Sequence, residues 1–196
     1  MVMSILYHPF KLKCFEEFKK QTLGYMNQFN KGNLYIRDVP ITQELSDIFR
    51  QEMSEYGLLG AWNFLSFKRR NFLTEDSPAH IDYSNDGPVY TSLIIPVEGC
   101  KDTHMYWLAG NYNLHQVITP TNSGTYNTSH GRIQWTAPPV VIDRVEINDS
   151  PMIASASIPH SVTSRSDGSY RTILSIRFQG NPTFDEVLEK YLTKNG

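Results

Sequence analysis

Cysteine is nearly missing from this chain of 196 residues: there are two, Cys14 and Cys100, far apart and without the paired spacing of a metal site. Two such residues cannot build a disulfide framework, so they read as reduced thiols. Runs of one charge are missing as well. Lys and Arg number 18 against 20 Asp and Glu, the net charge is −2, and the basic residues are scattered rather than gathered into a stripe. That argues against a broad face for nucleic acid or anionic membrane. No apolar segment approaches the length that crosses a bilayer, and Met1 to Pro9 lacks the basic start and long apolar core of a secretory signal. The expected location is the cytoplasm. Repeats and low-complexity tracts are also lacking, and 196 residues suit a single domain that buries roughly 70% of the surface its unfolded form exposes.

What is present divides into three parts. Residues 1–60 read as a helical layer. Phe15, Phe18, Met26 and Phe29 recur at helical spacing and predict a helix between Phe10 and Phe29, stopped at Asn30-Lys31-Gly32. Leu34 to Val39 reads as a short strand ended by Pro40. Ile41, Leu45, Ile48, Phe49, Met53 and Tyr56 share one face of a second helix, with Thr42 as its N-cap and Gly57 just past its end. From residue 61 to 180 the pattern changes to short apolar or alternating runs separated by Asn, Asp, Gly and Pro. Trp62–Phe67, Val89–Val97, Ile133–Trp135, Val140–Ile147, Met152–Ile158 and Arg171–Phe178 are the candidate strands. Many short strands with turns between them predict a sandwich or closed double sheet of the jelly-roll, cupin-like kind. Residues 181–196, with Phe184, Val187, Leu188 and Tyr191, form a closing helix. The fold class is mainly β with flanking helices.

The segment Ala79-His80-Ile81-Asp82-Tyr83 carries the chemistry. On an extended strand His80 and Asp82 project from the same face, so an imidazole and a carboxylate converge on one point. A second imidazole would complete a 2-His-1-carboxylate face suited to Fe(II), and His160 is the candidate. His-x-Asp by itself is weak: six histidines among 20 acidic residues in 196 give roughly 0.6 such pairs by chance. Read as one strand, Ala154 to His160 puts Ala154, Ala156 and Ile158 on the face of His160, and small residues there leave space for a ligand. Further on, Arg171, Ile173, Ser175 and Arg177 share one face of a strand, while Thr172, Leu174, Ile176 and Phe178 share the other. The apolar set packs against helices. The first set sends two guanidinium groups inward, where an unpaired charge is very costly. An anionic ligand would satisfy one of them, and an ion pair with Asp143 or Glu146 is the plainer alternative. His8, His104, His115 and His130 sit among polar or turn-forming neighbours and read as surface or loop residues; His130 is the main rival to His160.

His80-x-Asp82, a distal His160 and Arg171 eleven residues later resemble, in order and kind, the Fe(II)/2-oxoglutarate-dependent dioxygenase superfamily, over roughly residues 62 to 178. The resemblance is to its compact members and implies a double-stranded β-helix. It also implies that His80, Asp82 and His160 bind iron, and that the distal carboxylate of 2-oxoglutarate meets Arg171. Many members carry Ser or Thr two residues after the arginine. Here that position is Ile173, so a hydroxyl partner must come from Tyr83, Tyr90 or Ser175. The implied activity is hydroxylation of an unactivated C–H bond with release of succinate and CO2, ascorbate supporting the iron. Its partners are 2-oxoglutarate, dioxygen and a prime substrate that is either a protein side chain or a small molecule. A cupin-like metal-binding protein without 2-oxoglutarate chemistry is the alternative, since fold alone does not separate the two. Between Cys100 and Trp135 the chain is polar and aromatic, with Tyr106, Trp107, Tyr112 and Tyr126, and a long loop there is expected to border the pocket as a lid.

Overall fold

The computed structural model describes residues 5–29, 34–70, 79–84, 86–120, 127–163 and 170–195, without side chains at 34, 35, 37, 61–70, 118–120 and 127–130. Three helices are present among them: α1 (Phe15–Met26), α2 (Gln43–Glu55) and α3 (Phe184–Asn195). The strands in the first part of the chain are β1 (Tyr7–Pro9), β2 (Leu34–Arg37), β3 (Ala61–Arg70), β4 (His80–Ser84), β5 (Gly87–Pro88), β6 (Thr91–Glu98) and β7 (His104–Ala109). They are followed by β8 (Tyr112–Pro120), β9 (Asn127–Trp135), β10 (Val140–Glu146), β11 (Met152–Ser155), β12 (His160–Val162) and β13 (Tyr170–Phe178). No helix of the described residues is long and apolar enough to cross a membrane.

The strands form two sheets, ordered β1-β11-β6-β13-β3-β2 and β10-β7-β12-β4-β9-β8, with β5 added to β4 outside that path. Each pairing is antiparallel. The core strands cross between the sheets, β3 to β4 to β6 to β7 and later β10 to β11 to β12 to β13, which is a double-stranded β-helix. The first 60 residues are more than a helical layer, because β1 and β2 close the two edges of the first sheet. The strand expected at Leu34 to Val39 is β2, whereas β1, three residues long, carries too little periodicity to be told from a loop by sequence.

Two apolar clusters follow from strand alternation. Leu93, Ile95 and Val97 of β6, Ile153 of β11, and Leu174, Ile176 and Phe178 of β13 pack against Phe18 and Met26 of α1, Phe49 and Met53 of α2, and Val187 and Tyr191 of α3. Full burial of each such side chain contributes about 1.5–3 kcal/mol. The opposite faces of these strands turn into the barrel, where Ile94, Met105, Trp107, Met152 and Ala154 form the second cluster and Ile173 packs on it. The expected two faces of β13 are therefore the two sides of the first sheet.

Local signals explain the helix ends. Thr42 caps α2 by accepting from the Leu45 N–H, and Gly57 after its end has φ +66°, a conformation that glycine adopts without strain. α1 is shorter than its apolar spacing suggests, because the chain before Phe15 first runs as β1 along β11. Buried Glu52 on α2 accepts from the Lys13 N–H at 2.8 Å and from the Cys14 thiol, fixing α2 to the start of α1. Burial, with the Glu52 carboxylate beside it, pushes the Cys14 thiol up to about 12. Burial likewise pushes Cys100 up to about 11, although the charge of Arg171 pulls it the other way. Both thiols should therefore stay silent toward a disulfide reagent at pH 8 in the folded chain and react only after denaturation. A rapid reaction of either one in native buffer contradicts the packing described.

Candidate metal centre

His80 and Asp82 lie on β4, and their shared face is the inner face of the second sheet. β4 is flanked by β12 and β9, and the register sets His80 directly opposite His160 on one side and Arg132 on the other. Directly opposed residues of an antiparallel pair project to the same side. Hence the three predicted ligands meet across two strands. His80 Nε2 stands 3.8 Å and His160 Nε2 stands 4.0 Å from Asp82 Oδ1, and the two rings lie 4.5 Å apart between centroids. Two donors of one ion, each at roughly 2.0–2.2 Å, stand no more than about 4.4 Å apart, so these separations suit a shared ion. His80, Asp82 and His160 are the metal-holding group found among the described residues.

The surroundings orient the donors. His160 Nδ1 lies 2.9 Å from the Ile158 carbonyl, so Nδ1–H donates and Nε2 keeps its lone pair for the centre. Ser92 Oγ donates to Asp82 Oδ2 at 3.4 Å. Burial works against the charge of Asp82, but Arg177, then His160, His80 and the Ser92 hydrogen bond outweigh it and hold the carboxyl below its ordinary range. Two imidazoles and a carboxylate are the donor set of a 2-His-1-carboxylate iron site, which leaves positions open for other ligands.

His160 reaches this point by a route that the sequence did not suggest. Met152 to Ile158 is not one strand: β11 ends at Ser155, and the chain crosses between sheets before β12 begins at His160. The Asp82 N–H donates to the Ala156 carbonyl and the Leu108 N–H to the Pro159 carbonyl, which fixes that crossing. Ala154 and Ala156 are buried, yet they do not share a strand face with His160. Trp107, opposite His160 on β7, is fully buried; its indole N–H donates to the Ser155 carbonyl at 2.8 Å and Tyr7 stacks on it.

The remaining candidates separate. Arg171 and Ser175 are buried on the inner face of β13. Tyr83 follows Asp82 by one residue and so takes the outer face of β4, where its ring lies against Gly131. The side chain of Tyr90 is exposed, and its backbone N–H donates to Asn181 Oδ1. Of the three proposed hydroxyl partners, then, Ser175 alone shares the face of Arg171, and strand alternation removes Tyr83. Asp143 and Glu146 lie on the edge strand β10 and accept from the Arg144 and Asp102 N–H groups.

The expected lid is corrected. Cys100 to Trp135 is largely β7, β8 and β9 rather than a loop, and Tyr126 falls outside the described residues. Tyr106 pairs with Ser161 and Tyr112 with Trp135, which puts both on the outer face, and Trp107 is too deeply buried to border a mouth. Polar β-rich sequence looks like loop when its pairing partner is unknown. His8 and His104 are half-buried and His115 is exposed; the side chain of His130 is among those not described. His130 is paired opposite Asp82.

Two residues enter the site only through register. Arg177 is paired with Ser92, the residue bonded to Asp82, and Arg177 Nη1 donates to the Tyr83 carbonyl at 3.0 Å. Its inward face was legible in the sequence, but its level beside the triad was not. Arg132, opposite His80, carried no sequence signal at all.

With this geometry in hand, the fold has known counterparts. The chain matches the crystal structure of SnoK, a non-heme alpha-ketoglutarate-dependent carbocyclase from nogalamycin biosynthesis, with TM-score 0.54 and 11% identity over 88% of this chain and 78% of that one. HygX from Streptomyces hygroscopicus, solved with nickel and 2-oxoglutarate, aligns at TM-score 0.44 and 12% identity over 91% of this chain and 82% of that one. E. coli ycfD aligns at 0.43 and 13% over 83% of this chain and 38% of that one. No protein-family model and no curated protein matches the sequence. At 11% identity the likeness to SnoK is one of fold, and the chain sets a 2-His-1-carboxylate group on that fold.

Proposed function

We propose that this chain is an Fe(II)- and 2-oxoglutarate-dependent oxygenase that hydroxylates an unactivated C–H bond of a prime substrate, releasing succinate and CO2. The observation that carries this reading is the convergence of His80, Asp82 and His160 on the inner face of one sheet, with Arg171 buried on the inner face of the other. Bound Fe(II), with 2-oxoglutarate and dioxygen, supplies decarboxylation of the co-substrate coupled to oxidation of the C–H bond.

The protein's own residues do the rest. His80 and His160 give neutral nitrogens, and Asp82 gives the one negative charge of the donor set, kept ionised chiefly by Arg177. The Ile158 carbonyl holds the His160 ring in its donating tautomer. Arg171 presents a planar fork that matches the distal carboxylate of 2-oxoglutarate bidentately. Ile94, Met105, Met152 and Ile173 keep water from the interior between the sheets, which strengthens each charge interaction there.

The reading is tested by turnover without a prime substrate. The purified chain with Fe(II), ascorbate and 2-oxoglutarate should release succinate above a heat-denatured control. A metal-binding cupin-like protein gives none, and absence of succinate together with absence of 2-oxoglutarate binding by calorimetry overturns the assignment.

A further inference from the structure

The triad belongs to a longer row. Reading across the second sheet, Trp107 of β7 is opposite His160 of β12, His160 is opposite His80 of β4, His80 is opposite Arg132 of β9, and Arg132 is opposite His115 of β8. Each direct opposition keeps the side chains on one face, so Arg132 and His115 continue the inner face beyond the metal ligands. Neighbouring strands are about 4.8 Å apart, which puts the root of Arg132 one strand from His80 and that of His115 two strands away.

This outer part of the row is hollow. A cavity of about 400 Å³ is lined by His115, Val117, Arg132, Ile133 and Gln134, a size within the range of small-molecule sites. Four of these five residues, His115 and Val117 on β8 and Arg132 and Gln134 on β9, alternate onto the face of the triad. His115 Nε2 and Gln134 Oε1 are 3.2 Å apart, so one wall is already hydrogen-bonded. Arg132 is exposed, and among the described residues no ion pair or hydrogen bond engages its guanidinium. A permanent cation beside a metal site, in a hollow that offers it no described counter-charge, is arranged for an anion.

Resting on the oxygenase reading of the triad, we propose that the hollow over the paired strands β8 and β9 is the prime-substrate subsite and that Arg132 binds a carboxylate of a small-molecule prime substrate. A single guanidinium fork matches one carboxylate bidentately, whereas a phosphate dianion calls for more positive charge than one arginine brings. Val117 adds an apolar wall for the carbon skeleton, and the anchored end lies one strand from His80. Arg132 is thus a specificity-determining residue, distinct from the arginine that serves the co-substrate.

The test uses the full chain loaded with Zn(II), a diamagnetic stand-in for iron, and saturated with 2-oxoglutarate. Hexanoate and benzoate are compared with hexanamide and benzamide, following the Arg132 Nε–Hε and His115 ring signals by NMR. The acids should shift these signals and the amides should not. Arg132→Gln should weaken the response of the His115 ring to the acids by about tenfold or more, as for loss of a charge-assisted hydrogen bond. Its 2-oxoglutarate affinity by calorimetry should equal that of the unsubstituted chain, and its thermal melt should be unchanged. Equal shifts with acids and amides overturn the proposal, as does an unaltered response in Arg132→Gln. Loss of 2-oxoglutarate affinity in that variant also overturns it, because Arg132 is then the co-substrate's own arginine. Failure of the unsubstituted chain to bind 2-oxoglutarate, with the acid-selective shift intact, instead overturns the oxygenase reading and leaves an anion subsite beside a metal.

Discussion

Asp82→Ala is expected to lose metal and turnover together. The carboxylate is the one anion among the three donors, and its oxygen faces both imidazole nitrogens at 3.8 and 4.0 Å. Two neutral imidazoles without it bring no charge to offset the dehydration of a divalent ion. The substitution also removes a negative charge from the neighbourhood of Arg177, whose own charge is the strongest influence holding Asp82 ionised. Loss of that counter-charge should lower the melting temperature of the variant as well as its iron content. Asp82→Asn isolates the part played by the charge, since an amide oxygen can still accept from Ser92. Metal content after dialysis, succinate release and a thermal melt form the measurement. An Asp82→Ala chain that keeps one equivalent of iron and full turnover refutes the triad.

Arg171→Gln is expected to raise the 2-oxoglutarate requirement steeply, by about 2–5 kcal/mol for a desolvated charge pair, with metal binding nearly intact. Arg171 and Arg177 share the inner face of β13 but stand six residues apart, roughly 20 Å at about 3.3 Å per residue. One small dianion cannot use both. Register decides how they divide the work. Arg177 is level with Ser92 and the triad, its charge holds Asp82 ionised, and it donates to the Tyr83 carbonyl. Arg171 lies at the other end of the strand, where Gly99, at φ +64°, allows the end of β6 to close against the Tyr170 carbonyl. Arg177→Gln should accordingly weaken metal retention by roughly 10–100-fold, as loss of a group supporting a ligand does, and change 2-oxoglutarate affinity only through the metal. Its influence on the Asp82 charge gives Arg177 this effect on the metal. Calorimetry with Mn(II), then with 2-oxoglutarate at saturating Mn(II), distinguishes the variants. The reverse pattern assigns the co-substrate to Arg177.

The sequence by itself determined whatever depends on local periodicity. Alternation along a strand put His80 and Asp82 on one face and divided β13 into an apolar face and a face with two arginines. Helical spacing, with Thr42 and Gly57 as stops, marked α2 closely and α1 to within a few residues. Turn residues between short apolar runs indicated the β class. Tertiary structure alone decided what depends on pairing between distant segments. The pairing of β12 between β7 and β4 brings His160 to His80, and a crossing rather than a continuous strand delivers it. The β6–β13 register sets Arg177 beside Asp82 through Ser92, and the β4–β9–β8 register aligns Arg132 and His115 with the triad. A strand's own residues state which side chains share a face, but a shift of one residue against its neighbour changes every opposition. That choice is made by the packed interior and by connections tens of residues long, so no window of sequence contains it.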